Sequence, residues 1–173
     1  MDSRGGPVVS NEQTKAFTDG DELQLVTFEV GPEEFAVNIL VVQEINRMMR
    51  ITEVPQSPTC VEGVINLRGQ IIPVVDLRQR LGLPTTEYGS MSRIVVVEVS
   101  GRTIGFTVDR VNEVLRISSS IVDAAPGVVT KVDSQFIAGI GKLEDRLVIL
   151  LDLDKLLSVD ELRGIDRTLQ AAA

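Results

Sequence analysis

Short apolar runs separated by turn residues govern the chain from position 23 onward. Residues 23–30 are followed by Gly31-Pro32 and then by a second apolar run at 35–39, the pattern of a β-hairpin. Further runs at 61–67, 71–75, 94–99, 103–108, 136–140 and 147–151 predict strands that are short and closely spaced, as in small β-barrels. Two brief helices follow from punctuation. Asp76 is placed to cap 77–81 ahead of Gly82, and Asp152 to cap 153–157. Ser158-Val159-Asp160-Glu161 has the spacing of a capping box, and Val159, Leu162, Ile165 and Leu169 fall on one stripe, which predicts a C-terminal amphipathic helix within 159–173. Residues 1–21 show neither the helical nor the strand period and read as a disordered tail, while 85–92 reads as a linker.

Sliding the chain along itself exposes an internal repeat. Gly63, Leu67, Asp76, Leu77 and Leu81 recur as Gly139, Leu143, Asp152, Leu153 and Leu157, a constant spacing of 76 positions without a gap. Upstream, Val42-Gln43-Glu44-Ile45 matches Val111-Asn112-Glu113-Val114 at a spacing of 69, and the hairpins before them also correspond. One fold is written twice, at 22–84 and at 93–158, each copy with about five strands and a short closing helix. A barrel of roughly 70 residues buries too little surface to be robust alone, so the two copies are expected to share an apolar interface.

Composition agrees with a mostly β protein: hydrophobic residues make up 43%, valine leads, Trp is absent and Phe and Tyr number only 5 and 1. The charge of -8 repels phosphate backbones, and with aromatics at 3% it disfavours a nucleic-acid-binding tandem barrel. Cys60 is the single cysteine and has no internal disulfide partner. No apolar run approaches the ~20 residues of a membrane span, and no secretory signal is evident at the N-terminus, so a cytoplasmic location is expected.

The chain has no histidine, which removes the most adaptable general base and the commonest metal ligand. Ser-His and Cys-His nucleophilic catalysis are excluded, and no catalytic residue, metal site or cofactor is predicted. Glu33 and Glu34 beside the Gly-Pro turn read as solvated, and Asp152 and Asp154 as acids at a helix start. Gly139-Ile140-Gly141 lacks a third glycine and a following helix, so it reads as hairpin geometry instead of a phosphate loop. Cys60 has no basic neighbour in sequence to activate it and reads as structural. Arg68-Gly69 joins two apolar strands as a tight turn in which Gly69 supplies φ > 0. A hairpin tip has no structural need for arginine, so Arg68 reads as displayed, either as plain soluble surface or as an anchor for a carboxylate on a partner.

Taken in order, Val42-Gln43-Glu44-Ile45, Gly63-Val64-Ile65-Asn66-Leu67-Arg68-Gly69, Pro73-Val74-Val75-Asp76-Leu77-Arg78 and Ala125-Pro126 followed by Gly139-Ile140-Gly141 resemble the signature of the CheW family of chemotaxis coupling proteins, over about residues 22–158. The resemblance implies two tandem five-stranded SH3-like barrels around a shared apolar core. It further implies a non-enzymatic adaptor with two partners: the regulatory domain of the histidine kinase CheA, met barrel against barrel, and the cytoplasmic hairpin tip of a methyl-accepting chemoreceptor. Recruitment to membrane receptor arrays would then come through those partners. The receptor-facing positions of the family fall on Val42, Glu44, Ile45 and Arg68, while Gly63, Gly69, Asp76, Gly139 and Asp152 serve turns and caps. A coupling protein of a surface-motility or other non-swimming receptor pathway is the alternative.

Overall fold

The computed structural model describes residues 21–84, 86–123 and 132–172. The predicted tail, apart from Asp21, and Ala125-Pro126 lie outside the described residues. Eleven strands and three helices run in the order β1 (Glu22–Val30), β2 (Glu33–Asn38), β3 (Val42–Arg47), β4 (Val61–Leu67), β5 (Gln70–Asp76), α1 (Leu77–Leu81), β6 (Arg93–Val99), β7 (Arg102–Val108), β8 (Arg110–Ser118), β9 (Val122–Asp123), β10 (Ile137–Lys142), β11 (Leu147–Leu151), α2 (Leu153–Leu156) and α3 (Val159–Ala172) among these residues. Every apolar run read as a strand is one. The polar-containing segments Val42–Arg47 and Arg110–Ser118 are also strands, which apolar-run counting missed because only every second side chain in them is sheltered.

The strands form two sheets, ordered β3-β6-β7-β5-β4 and β8-β1-β2-β11-β10-β9. Each curls toward closure because the chain leaving its first-named strand forms a rung with its far side. Thr52 pairs with Val64 in one sheet, and Asp123 with Ile140 in the other. The expected division at 85–92 does not describe this pairing. The first hairpin, β1-β2, belongs to the sheet of β8 to β11, whereas the second copy's hairpin, β6-β7, belongs to the sheet of β3 to β5. Each copy lends its hairpin to the other through a parallel pairing, Val74 with Gly105 and Leu150 with Ala36. Pairing across copies buries apolar strands on both faces, which a self-contained barrel of this size would leave half exposed.

The repeat is visible in the register. A β-bulge at Val61/Gly63 recurs at Ile137/Gly139, and one at Val42/Glu44 recurs where Thr27 pairs with Glu113 and Phe28 with Val111. Gly63 and Gly139 thus hold equivalent places, opposite Val74 and Leu150.

Alternation along the strands sorts the apolar side chains into three cores. In β6, Ile94 and Val96 face the first sheet's own core with Ile65, Leu67, Ile72 and Val74, while Val95, Val97 and Val99 face a central core. In β11, Val148 and Leu150 join Leu25 and Ile117 inside the second sheet, and Ile149 and Leu151 join the central core. That central core, with Phe28, Phe35, Phe106 and Leu156, is the apolar interface the two barrels share.

Helix α3 starts as its capping box predicts. The Glu161 amide donates to Ser158 Oγ at 3.0 Å and the Ser158 amide to Glu161 Oε1 at 2.8 Å. Of the expected stripe, Ile165 is buried and Leu162 and Leu169 pack partly against the central core, but Val159 in the first turn is 64% exposed. Ion pairs hold the helix to both α1 and β7: Arg80 to Glu161 at 2.7 Å, and Arg102 to Asp166 through two bonds of 2.9 Å. The connection at 86–92 is likewise tied down, since the Tyr88 hydroxyl bonds both Glu62 and Thr107.

Candidate partner-binding site

The β4-β5 turn is tighter in its demands than the sequence suggests. Arg68 and Gly69 both have positive φ, 55° and 87°, which makes a two-residue turn of the type that matches strand twist. Asn66 Oδ1 accepts from the Gly69 amide at 2.8 Å and completes it. A left-handed conformation costs a side-chain-bearing residue about 1–2 kcal/mol, and Asn or Gly would occupy the position more cheaply. An arginine held there, with 70% of its side chain exposed, is a local inconsistency of the kind that marks functional positions.

The guanidinium of Arg68 bonds and ion-pairs with the carboxylate of Glu44, 24 residues earlier in the chain. The hydrogen bond from Arg68 holds the Glu44 carboxyl below its usual range, and Glu44 raises Arg68 in return. Asn46 supports the carboxylate with a bond of 3.2 Å from Nδ2 to Oε1. Rotation of the carboxylate is thereby restricted, and Arg68 keeps further N–H donors free for a second acceptor.

The other two predicted residues lie on the opposite face of the same strand. After the bulge, Glu44 and Asn46 stand across from Val96 and Ile94, members of the first sheet's core, whereas Val42 and Ile45 stand across from Val97 and Val95, members of the central core. Val42 packs partly against that core, and Ile45 is 40% exposed. The four residues therefore divide between two faces of β3: Glu44 on one, met by Arg68 from the β4-β5 turn, and the apolar Val42 and Ile45 on the other. Leu40, 70% exposed on the 3₁₀ turn Ile39–Val41 that leads into β3, is a further displayed apolar side chain; its amide donates to Asn38 Oδ1 at 2.8 Å. Sequence reading missed Leu40 because it lies within the run at 39–42 and looks like core.

The residues assigned to turns and caps divide. Gly63 has φ 154°, and a Cβ there would lie 2.3 Å from the Thr52 carbonyl oxygen, so the bulge and the closing rung require glycine. Asp76 caps α1 by accepting from the Gln79 amide at 3.3 Å, and Gly82 terminates it in the left-handed region. Asp152 is a correction: it begins α2 but makes no side-chain cap bond, and its Oδ1 is buried without a partner. Burial, and then Asp154, push its carboxyl above the usual range. At the start of the four-residue α2 the carboxylate makes no side-chain cap bond, so the repeated aspartate is a cap in one copy only.

Glu34 is also a correction, being paired instead of solvated. Its carboxylate accepts from Arg146 Nε at 2.6 Å and from Asn112 Nδ2 at 3.0 Å. Burial alone would raise its pKa, but Arg146 and Asn112 outweigh that and hold it low. Arg146 also reaches Glu113, the counterpart of Glu44, at 2.7 Å. Where the first copy displays an arginine, the second copy thus locks one among three carboxylates, with Asp145 as the third at 3.2 Å. Cys60 is buried, and its thiol is pushed up to about 11 by burial and by Glu161. Among the described residues no three carboxylate or thiol groups converge as a metal site would need, and no helix is long and apolar enough to cross a membrane.

A sequence model of the CheW-like domain matches residues 24–161, most of the chain and nearly all of both barrels. The chain belongs to the CheW-like family. Among its relatives, a probable chemotaxis protein CheW of Rhizobium etli is 35% identical over 147 residues, 85% of this chain and 94% of that protein. The chemotaxis protein CheW of Thermotoga maritima is 38% identical over 139 residues, covering 79% and 88% respectively. The crystal structure of the scaffolding protein TtCheW from Thermoanaerobacter tengcongensis superposes with a TM-score of 0.75 at 36% identity, over 82% of this chain and 96% of that one. Family membership agrees with the fold.

Proposed function

We propose that this protein is a non-catalytic chemotaxis coupling protein that joins the cytoplasmic hairpin tip of a chemoreceptor to the regulatory domain of the kinase CheA. The observation that carries the reading is strand β3 with its two unlike faces. An arginine in a disfavoured backbone conformation is braced by Glu44 on one face, while Val42 and Ile45 present apolar side chains on the other and Leu40 stands exposed just before the strand. A paired helical tip, apolar along one stripe and acidic beside it, is the shape such a strand accepts. The kinase's regulatory domain would dock elsewhere, barrel against barrel.

The test is to titrate wild type and Arg68→Ala against a receptor cytoplasmic fragment and, separately, against the kinase regulatory domain. Truncating a hot-spot arginine commonly costs about 2 kcal/mol, so receptor affinity should fall roughly thirtyfold while kinase affinity holds. Thermal stability should move little, because an exposed ion pair contributes about 0–1 kcal/mol. Equal receptor affinities would remove Arg68 from the site. A matched loss against both partners would instead report misfolding.

A further inference from the structure

The β3-β6 pair carries a charge arrangement that its counterpart in the other sheet, β8-β1, does not. Arg47 of β3 lies directly opposite Arg93 of β6 in the antiparallel register. Like charges so placed destabilise a sheet. The equivalent pair in the other sheet, at the repeat spacing of 69, is Arg116 opposite Gln24. The architecture therefore accommodates a neutral residue at this place, and the arginine pair is a feature of the β3-β6 sheet alone. Elsewhere on this acidic chain many basic groups are matched: Arg68 with Glu44, Arg78 with Asp109, Arg80 with Glu161, Arg102 with Asp166 and Arg146 with Glu34. Arg47 is exposed, and among the described residues Arg93 bonds the carbonyls of Ser90 and Ser92, at 3.0 and 2.8 Å, and no carboxylate.

Position gives the pair its meaning. Alternation places Arg47 two residues beyond Ile45 on the same face, about 7 Å along the strand. Arg93 stands two residues before Val95, which lies opposite Ile45. Both arginines thus continue the apolar face of the candidate site outward from the central core. We infer that Arg47 and Arg93 together form a cationic extension of the receptor-binding face that takes a carboxylate side chain of the docked helical tip, so that the cross-strand repulsion present in the free protein is relieved on binding. This rests on the reading of β3 as the receptor face.

The experiment uses the full chain with Arg47→Gln and Arg93→Gln, the latter recreating the arrangement at Gln24. Each is titrated with a receptor cytoplasmic fragment at about 0.05 M and about 0.5 M salt, a range over which the screening length falls severalfold. Each variant should bind roughly 3–10-fold more weakly at low salt, and the difference should shrink toward nothing at high salt. A fragment whose acidic tip residues are changed to amides should bind wild type and both variants alike. Neither variant should melt below wild type, and Arg93→Gln should melt slightly above it. Wild-type and variant affinities that agree at low salt would overturn the inference and leave the β3 reading standing. A variant that melts lower and binds more weakly at both salt concentrations would assign the pair a structural role. Wild type failing to bind the fragment at all would overturn both.

Discussion

Replacing Gly63 by alanine puts a methyl group into the one place where the first barrel closes. The new Cβ would lie 2.3 Å from the Thr52 carbonyl oxygen, 2.8 Å from its carbon and 2.9 Å from Ile51 Cγ2, so the 51–52 segment must move. That movement breaks the rung made by Thr52 N to Val64 O at 2.9 Å and Val64 N to Thr52 O at 2.8 Å. Two backbone hydrogen bonds at about 1 kcal/mol each, added to about 1–2 kcal/mol for holding alanine in a glycine conformation, predict a loss of about 3–4 kcal/mol. For a chain of this length each kcal/mol shifts the melting temperature by about 2–4 °C, so Tm should fall by roughly 10 °C. Gly69→Ala supplies the control, since Gly69 also has positive φ but has no atom within 4 Å of an added Cβ. It should lose only about 1 kcal/mol. Urea denaturation of both variants measures the difference through the shift in midpoint at constant slope. A Gly63→Ala protein no less stable than Gly69→Ala would refute the closing-rung argument. The same measurement bears on function, because the rung anchors the chain that leaves β3.

Asp152→Asn should raise stability at neutral pH by about 1 kcal/mol, because the carboxylate it removes is buried with an unpartnered oxygen. The folded pKa lies above the unfolded value of 3.8, so the charged group's penalty develops as pH rises from that value through the folded pKa. Melting curves of the variant and wild type should accordingly converge in acid below the unfolded pKa, and a destabilised variant at pH 7 would restore the cap assignment. Cys60, with its thiol at about 11 and only 5% of its surface exposed, should resist a disulfide reagent at pH 8 in the folded protein and react once denaturant is added. Modification of the native protein at the rate of a free thiol would show that the region around α3 opens.

What was legible from the sequence was local or periodic. Apolar runs and turn residues specify strands and hairpins within a few positions, so β1, β2, β4 to β7, β10 and β11 could be read directly. The capping box at Ser158 and Glu161 and the displayed Arg68 could be read for the same reason. The constant spacing of 76 positions carried the duplicated architecture, because repeated bulges and helix starts need the same residues at the same places. The exchange of hairpins was not legible: β1-β2 alternates identically whichever sheet receives it, and only the parallel pairing of Ala36 with Leu150 decides. The site was half visible. Its four residues carry motifs, but which of them share a face depends on the bulge between Val42 and Glu44, and that is a property of the pairing with β6. Asp152 and Glu34 were misread because a carboxylate's neighbours come from elsewhere in the chain. Burial leaves one oxygen of Asp152 without a partner, and Arg146, 112 residues away in sequence, reaches Glu34. Turns, caps and periodicity are set by neighbours along the chain, whereas charge pairing, face and burial are set by neighbours in space, which only the tertiary structure supplies.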